Sequence, residues 1–346
     1  MPRSTVKQAK RAEDEGWDGL GLVDSQNLAG DPYIELALAA HATEQIRLGT
    51  AVTNPLTRHP AAMATAIATV QAESDGRAVL GIGRGDSALA HLGLAPAPVP
   101  TFERYLARLQ GYLRGDEVPF DVELDGGGEV KAADALHMAS GPQTSRLRWL
   151  RDGFVKVPVD VAATGPKVIA AAARHADRIT FAVGADTERL TWAMEVARNA
   201  AAAIGRDPDE LSFGAYVPVY PHPDRGQARR LISGGVASFA RFSVMHGSVA
   251  GPVTDQERKS LEAVHANYDM GSHFTHGSPQ SRFLTDEVID RFGIAGPSGY
   301  CIDRLSELID LGLEKVFVMG GGFRGDQAEA NASRTRMVTE VLPALR

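Results

Sequence analysis

Short apolar runs alternate with stretches of helical pattern along most of the chain. Each apolar run is bounded by polar residues or glycine and is followed by a segment with apolar positions at helical spacing, which is typical of buried parallel strands joined by helices. The predicted strands are 19–23, 46–51, 78–83, 159–163, 178–183, 211–220 and 315–319. The predicted helices are 6–15, 32–42, 60–74, 102–114, 166–175, 187–204 and 302–312.

Two segments interrupt this alternation. The first, 116–157, contains the glycine-rich run from Asp125 to Glu129 and predicts a hairpin with a loop. The second, 221–297, has helical patches such as 256–266 between breaks at Gly and Pro, and predicts a larger insertion. We therefore expect a single domain over 1–346 that carries two insertions.

The number of core strands bears on the fold class. Seven are predicted, whereas a (β/α)₈ TIM barrel has eight. We predict an α/β barrel of this kind with insertions, and its first strand would lie upstream of Met1 because the given chain begins in the first helix. The alternative is an open, doubly wound sheet.

Composition and charge narrow the class of function. The 346 residues are 44% hydrophobic and 23% charged, which is ordinary for a globular enzyme and excludes disordered and fibrous proteins. The net charge of −7 gives no basic footprint for nucleic acid or an anionic membrane surface. No apolar run is long enough to span a bilayer, and the start lacks the pattern of a signal peptide. We therefore expect a small-molecule ligand, with no nucleic-acid or membrane partner.

The cysteine and histidine content limits the chemistry further. The single cysteine, Cys301, excludes an intrachain disulfide and a multi-cysteine zinc site, and it predicts a reducing, cytoplasmic location. The ten histidines show no metal-binding spacing, so no catalytic metal is expected.

Polar residues that follow the strands of such a barrel form its active site. Asp24 comes directly after the first strand, where capping a helix or turn is the alternative role. At the end of the second strand, residues 48–60 combine polar groups with small residues that let a flat ring approach, although an ordinary polar loop would look similar. The polar side chains of interest in this loop are Thr53, Asn54, Arg58 and His59.

Two further strand ends are rich in glycine. The run 81–86 lacks the third glycine of a dinucleotide-binding loop, so we interpret it as a tight strand exit that lets backbone approach a ligand. The strand 159–163 turns through Thr164 and Gly165 into a helix, and the free N–H groups at a helix start form a ready phosphate site. The glycine run 320–322 after the last strand is a rival phosphate site.

Three motifs together resemble the bacterial luciferase-like monooxygenase superfamily. They are the run 15–18 ahead of the strand that ends at Asp24, the run 47–60, and the run 76–83. Within the superfamily, the chain is most similar to the deazaflavin-dependent methylenetetrahydromethanopterin reductases and their relatives. The resemblance covers about 6–114, returns over 157–183 and 294–319, and is poor in both insertions.

The resemblance implies a barrel that binds a flavin or deazaflavin ring at its C-terminal mouth, backed by a non-prolyl cis peptide between Ala51 and Val52. It also implies a phosphate site at residues 164–167. The implied cofactor-binding residues are Asp24, Ala51, Val52, Thr53, Asn54, Gly83, Arg84, Gly85, Thr164, Gly165, Pro166 and Lys167.

Two positions depart from the deazaflavin-dependent sugar-phosphate dehydrogenases of this superfamily. Ser25 stands where that branch has a histidine, and Arg84 stands where it has a glutamate. We therefore do not expect this chain to share the sugar-phosphate oxidation of that branch. The expected catalytic groups are Asp24, His59 and Asp86, and the expected substrate-binding groups are Ser25 and Arg58.

These observations predict an oxidoreductase that moves hydride between C5 of a deazaflavin, coenzyme F-420, and a small organic substrate. The first alternative is a monooxygenase that uses flavin mononucleotide, FMN, and activates O₂. The second alternative is a barrel protein that binds a flavin without turnover. The relatives suggest a homodimer, and substrate identity would depend on the two insertions.

Overall fold

Parallel strands and helices alternate along the chain in the computed structural model. It describes residues 2–121, 137, 142, 144–245, 247–322 and 324–346. The chain divides into two compact units. The first comprises Met1–Val161 and His175–Asp177, and the second comprises Ala162–Arg174 and Arg178–Arg346. The expectation of a single domain stays a prediction.

The first unit is built on parallel strands. Its strands are β1 (Gly19–Leu22), β2 (Arg47–Thr50), β3 (Ala78–Ile82) and the first residues of β6 (Val159–Ala163), with the short pair β4 (Val118–Pro119) and β5 (Thr144–Ser145) outside this series. Its helices are α1 (Thr5–Asp14), α2 (Pro32–Ala40), α3 (Pro60–Glu73), α4 (Ser87–Ala90) and α5 (Val99–Arg114). β2 pairs with β1 and β3, and β3 pairs with β6, so the carboxyl ends of these strands meet at one edge.

The second unit repeats the arrangement. Its strands are the end of β6, then β7 (Arg178–Phe181), β8 (Ser212–Pro221), β9 (Ile294–Gly296) and β10 (Lys315–Met319). Its helices are α6 (Pro166–His175), α7 (Thr187–Ala202), α8 (Arg225–Phe242), α9 (Asp255–Ala266), α10 (Asp286–Phe292), α11 (Ser298–Asp310) and α12 (Gln327–Arg336). β8 pairs in parallel with β7, β9 and β10.

All seven predicted core strands are present, and each has a parallel neighbour. The bounds of β6, β10 and α6 are those predicted from the sequence. Local signals explain where the helices start: the Asp31 carboxylate accepts hydrogen bonds from the N–H groups of Tyr33 and Ile34, and Pro32 occupies the first helical position of α2. The strand expected upstream of Met1 stays a prediction.

The predicted insertions contain more regular structure than expected. In 221–297, the sequence prediction missed α8, α10 and the three-residue strand β9. In 116–157, β4 and β5 pair in antiparallel, as the predicted hairpin requires. The glycine run 125–129 lies outside the described residues. Among the residues described here, no helix is long and apolar enough to cross a membrane.

One carboxylate ties α1 to the start of β2. Glu13 accepts hydrogen bonds from the backbone N–H groups of Glu44, Gln45 and Ile46, at 2.9, 2.6 and 2.9 Å. Burial raises the pKa of Glu13, but these hydrogen bonds outweigh burial, so that its pKa lies below the ordinary 4.5. The ionised carboxylate therefore stabilises the fold above about pH 4.5.

Glu13→Gln should lower the free energy of unfolding at neutral pH and make it less dependent on pH in the acid range. Because the folded-state pKa is depressed, the contribution of Glu13 is present above its unfolded-state pKa and is lost as pH falls through the folded-state value. Chemical denaturation at about pH 7 and then at steps downward from about pH 4.5 measures both effects, because the contribution of Glu13 is lost only as pH falls from its ordinary pKa through the lower folded-state pKa. A variant that loses as much stability on acidification as the wild type would contradict this account.

Candidate active site

Asp24 lies two residues beyond β1 and is buried, with 2% of its surface exposed. Its Oδ1 accepts a hydrogen bond from Gln26 Nε2 at 2.6 Å. Its Oδ2 accepts from Thr53 Oγ1 at 2.5 Å and from Arg58 Nη1 at 3.1 Å. An ionised carboxylate offers about four acceptor positions. Asp24 is therefore held as an acceptor, and Oδ1 has capacity for one more donor.

Arg58 bridges two carboxylates in front of an aromatic ring. Nη1 pairs with Asp24 and Nη2 with Asp31. The guanidinium carbon lies 4.7 Å from the centroid of the Tyr33 ring, within the range of a cation–π interaction. The Arg58 carbonyl accepts a hydrogen bond from the Tyr105 hydroxyl at 2.9 Å. Burial raises the pKa of the Tyr33 and Tyr105 phenols, so both are neutral donors at physiological pH.

The peptide bond between Ala51 and Val52 is cis, at the position implied by the sequence resemblance. The residues beside it are bonded to the strands on either side. Ala51 N–H donates to the Leu22 carbonyl at 2.7 Å, and Thr53 N–H donates to the Gly81 carbonyl at 2.9 Å. The loop after β2 is therefore fixed between the ends of β1 and β3.

Asn54 lies in the same loop and is 2% exposed. Its Oδ1 accepts from the N–H groups of Leu56 and Thr57, at 3.0 and 3.1 Å. Its Nδ2 is buried and has no hydrogen-bond partner in the described part of the chain, and the same holds for the hydroxyls of Ser25 and Thr57. Because a buried unpaired donor is unfavourable, these atoms mark a place where a ligand could supply acceptors.

The loop after β3 brings bare backbone close to Asn54. Gly85 has φ of +86°, and a Cβ added there would lie 2.2 Å from Leu89 and 3.2 Å from the Asn54 Cβ, so glycine is required. Arg84 donates from Nε to the Ala97 carbonyl at 2.5 Å, and burial lowers its pKa. Asp86 is half-buried at the start of α4.

His59 caps a helix. Its Nδ1 accepts a hydrogen bond from Ala61 N–H at 3.1 Å at the start of α3. Its ring lies 6.5 Å from that of Tyr112. Accepting at Nδ1 requires a neutral imidazole with its proton on Nε2. The catalytic role expected for His59 stays a prediction.

In the second unit, Thr164 and Gly165 form the turn from β6 into α6, which begins with Pro166 and Lys167. Thr164 Oγ1 donates to the Ala182 carbonyl at 3.4 Å, and the N–H groups of Val168 and Ile169 both reach the Gly165 carbonyl. A Cβ added at Gly165 would have no neighbour within 4 Å. The backbone at the start of α6 is therefore approachable, as a phosphate site requires.

A cleft of about 150 Å³ opens beside Asp24. Its lining residues are Asp24, Gln26, Ala29, Gly30, Asp31 and Arg58. The sequence reasoning missed Asp31, Tyr33 and Tyr105 as parts of this site. The signal available for Asp31 was its place directly before Pro32, typical of a helix N-cap, but that signal does not reveal the contact with Arg58.

Comparison with known proteins places this site in a family. The model of the luciferase-like monooxygenase family matches residues 1–315. A 5,10-methylenetetrahydromethanopterin reductase from Archaeoglobus fulgidus is 30% identical over 313 residues, which cover 89% of this chain and 86% of that protein.

Two solved structures share the fold. The coenzyme F-420-dependent tetrahydromethanopterin reductase of Methanopyrus kandleri superimposes with a TM-score of 0.74 at 23% identity, covering 100% of this chain and 96% of that one. A coenzyme F-420-dependent secondary alcohol dehydrogenase gives 0.69 at 17% identity, covering 99% and 94%. The predicted fold class, an α/β barrel, and the predicted class of enzyme, an oxidoreductase, are confirmed. The chain belongs to the luciferase-like monooxygenase family, as its motifs predict.

Proposed function

We propose that the chain transfers hydride between a deazaflavin, coenzyme F-420, and a small organic substrate. The observation that carries the proposal is the buried Asn54 amide, whose Nδ2 donor has no partner in the described residues and lies two residues beyond the cis peptide. Leaving such a donor unpaired costs about 1–3 kcal/mol, so a ligand acceptor would be stabilised there. The two structurally similar enzymes named above depend on coenzyme F-420, which supports the choice of this coenzyme.

The polar groups present fit the edge of a deazaflavin ring. That edge carries carbonyl acceptors and an N–H donor. Asn54 Nδ2 would donate to a carbonyl, and Asp24 Oδ1 would accept from the N–H group. Gly83 donates its N–H to the Thr53 carbonyl and Gly85 lies beside Asn54, so we propose that the backbone of these two glycines lines the face of the ring. We propose residues 164–167 for the coenzyme phosphate.

The bound deazaflavin would supply a carbon centre that gives or takes hydride. Asp24, which Thr53 and Arg58 orient, would face the ring edge as a hydrogen-bond acceptor. We propose that Ser25 and Arg58 bind substrate, and that His59 and Asp86 hold or move the proton that accompanies hydride transfer.

The family name supports a second candidate, a monooxygenase that uses FMN and O₂. Both candidates use the same pocket, so affinity for each coenzyme separates them. Titration with oxidised coenzyme F-420 and with oxidised or reduced FMN, followed by fluorescence, should show preferential binding of the deazaflavin. Tight binding of reduced FMN without binding of the deazaflavin would overturn the proposal. Stable binding with no turnover of any substrate would point instead to a non-catalytic flavin-binding protein.

The proposed phosphate site can be tested by Gly165→Ala. The new methyl group has no neighbour within 4 Å, so the fold should be unaffected, while it adds bulk at the approach to the start of α6. We expect about tenfold weaker binding of the coenzyme, because a helix-terminus phosphate contact is lost. Binding of the phosphate-free 5-deazariboflavin should be unchanged. Equal weakening for both ligands would place the phosphate elsewhere.

We also propose that the protein is a cytoplasmic homodimer. Ile34 and Leu38 are 66% and 52% exposed and lie one turn apart on α2, which gives this helix an apolar outer face. Sedimentation equilibrium tests the dimer, since a protein that stays monomeric at micromolar concentration would contradict it.

A further inference from the structure

The contacts behind Asp24 extend to a residue that the proposed chemistry does not use. Arg58 Nη1 lies 3.1 Å from Asp24 Oδ2, and its other arm, Nη2, donates to Asp31 Oδ2. A guanidinium is planar and presents its N–H groups in a fixed fork, so binding both arms fixes its plane as well as its position. The Tyr33 ring, 4.7 Å away, packs against the guanidinium.

Asp31 is itself held in place by the start of α2. Its Oδ1 accepts from Tyr33 N–H at 2.9 Å and from Ile34 N–H at 3.3 Å. Its Oδ2 meets Arg58. One carboxylate thus joins a helix terminus to the guanidinium that orients Asp24, and the helix provides a rigid base for the second anchor of Arg58.

We propose that Asp31 is a positioning residue, which acts on Asp24 only through Arg58. The inference rests on the proposed function, because it assigns Asp31 to the coenzyme site proposed above. With both arms of Arg58 anchored, Asp24 Oδ2 is kept in one place and Oδ1 is presented to the ring edge. Without Asp31, Arg58 has one anchor and its guanidinium can turn about it, so its contact with Asp24 Oδ2 is loosened while those from Thr53 and Gln26 remain.

Asp31→Asn separates this role from helix capping, because asparagine caps helices about as well as aspartate but carries no charge. A matched control is Asp207→Asn, since exposed Asp207 caps the short helix Pro208–Glu210 in the second unit. Both variants should melt like the wild type. In the coenzyme-free protein, nitrogen NMR should resolve the two Nη groups of Arg58 in the wild type and in Asp207→Asn. In Asp31→Asn, faster rotation of the Arg58 guanidinium should average the signals of the two Nη groups.

A double-mutant cycle tests the route of action. We expect Asp31→Asn to weaken binding of oxidised coenzyme F-420 about tenfold, and Arg58→Gln by at least as much, because the charge-assisted contact that orients Asp24 is loosened in the first variant and lost in the second. The double variant should match Arg58→Gln within about twofold, because Asp31 has no separate effect. Independent, multiplying losses or an unchanged Arg58 spectrum in Asp31→Asn would overturn the proposal. If the wild type binds no deazaflavin, the proposed function is overturned, and so is the link between Asp31 and the coenzyme. The NMR spectrum of Arg58 does not depend on the coenzyme and tests only whether Asp31 anchors Arg58.

Discussion

Gly81→Ala should lower the free energy of unfolding by about 3 kcal/mol, at the upper end of the range for overpacked cores. Gly81 is buried in β3, and a Cβ there would lie 2.1 Å from the Thr50 carbonyl oxygen. The neighbouring backbone has little freedom to move. The Gly81 carbonyl accepts from Thr50 Oγ1 at 2.7 Å and from Thr53 N–H at 2.9 Å. The substitution should therefore disturb the loop that carries Thr53 as well as stability.

Chemical denaturation followed by circular dichroism measures the loss, and Gly19→Ala is the matched control. Gly19 is an exposed strand residue in β1, and a Cβ there would meet its nearest neighbour at an ordinary 3.6 Å. We expect the control to change stability by less than about 0.5 kcal/mol. If both variants unfolded at the wild-type denaturant concentration, the close packing of β2 on β3 would be wrong.

The second large effect is expected for Asp24→Asn, which should lower kcat/KM for hydride transfer about a hundredfold. The change keeps the size of the side chain but removes the charge that pairs with Arg58. It also replaces one acceptor oxygen by an amide, so either the Gln26 contact or the contacts with Thr53 and Arg58 are lost. Arg58 keeps Asp31 as a partner, so we expect a folded protein.

Stopped-flow measurement of coenzyme oxidation checks this result, with Asp14→Asn as the control. Asp14 is exposed at the end of α1, near the amino end of β1 rather than its carboxyl end. The control should keep wild-type kinetics. Asp24→Asn with unchanged kcat/KM would remove Asp24 from the proposed active site.

The local sequence pattern predicts most of the strands because each is a short apolar run with a clear break on both sides. It fails at α8, where Gly226, Gly234 and Gly235 look like breaks. The structure shows that two of these glycines are present for a different reason. A Cβ at Gly234 would lie 2.2 Å from the Thr275 carbonyl, and one at Gly235 would lie 3.1 Å from the Gly320 carbonyl. These glycines allow close packing inside a continuous helix, and that requirement comes from residues distant in sequence.

In the candidate site too, the local sequence predicts some residues, while others depend on contacts between segments distant in sequence. Asp24 and Asn54 were predicted because they lie in segments that follow strands, and strand ends of such folds carry the chemistry. Asp31 and Tyr105 were not, because their contacts with Arg58 join α2 and α5 to the loop after β2. Local pattern identifies the polar residue at a strand end, whereas tertiary packing selects the side chains that orient it.

Parallel anaerobic and aerobic turnover assays test hydride transfer by a deazaflavin. Reduced coenzyme F-420 is mixed with the enzyme and a panel of small ketones and imines, and coenzyme absorbance and O₂ uptake are both recorded. We predict oxidation of the coenzyme that depends on enzyme and substrate, proceeds without O₂ and is slowed by Asp24→Asn. Substrate-dependent O₂ uptake with reduced FMN, while coenzyme F-420 stays reduced, would contradict the account.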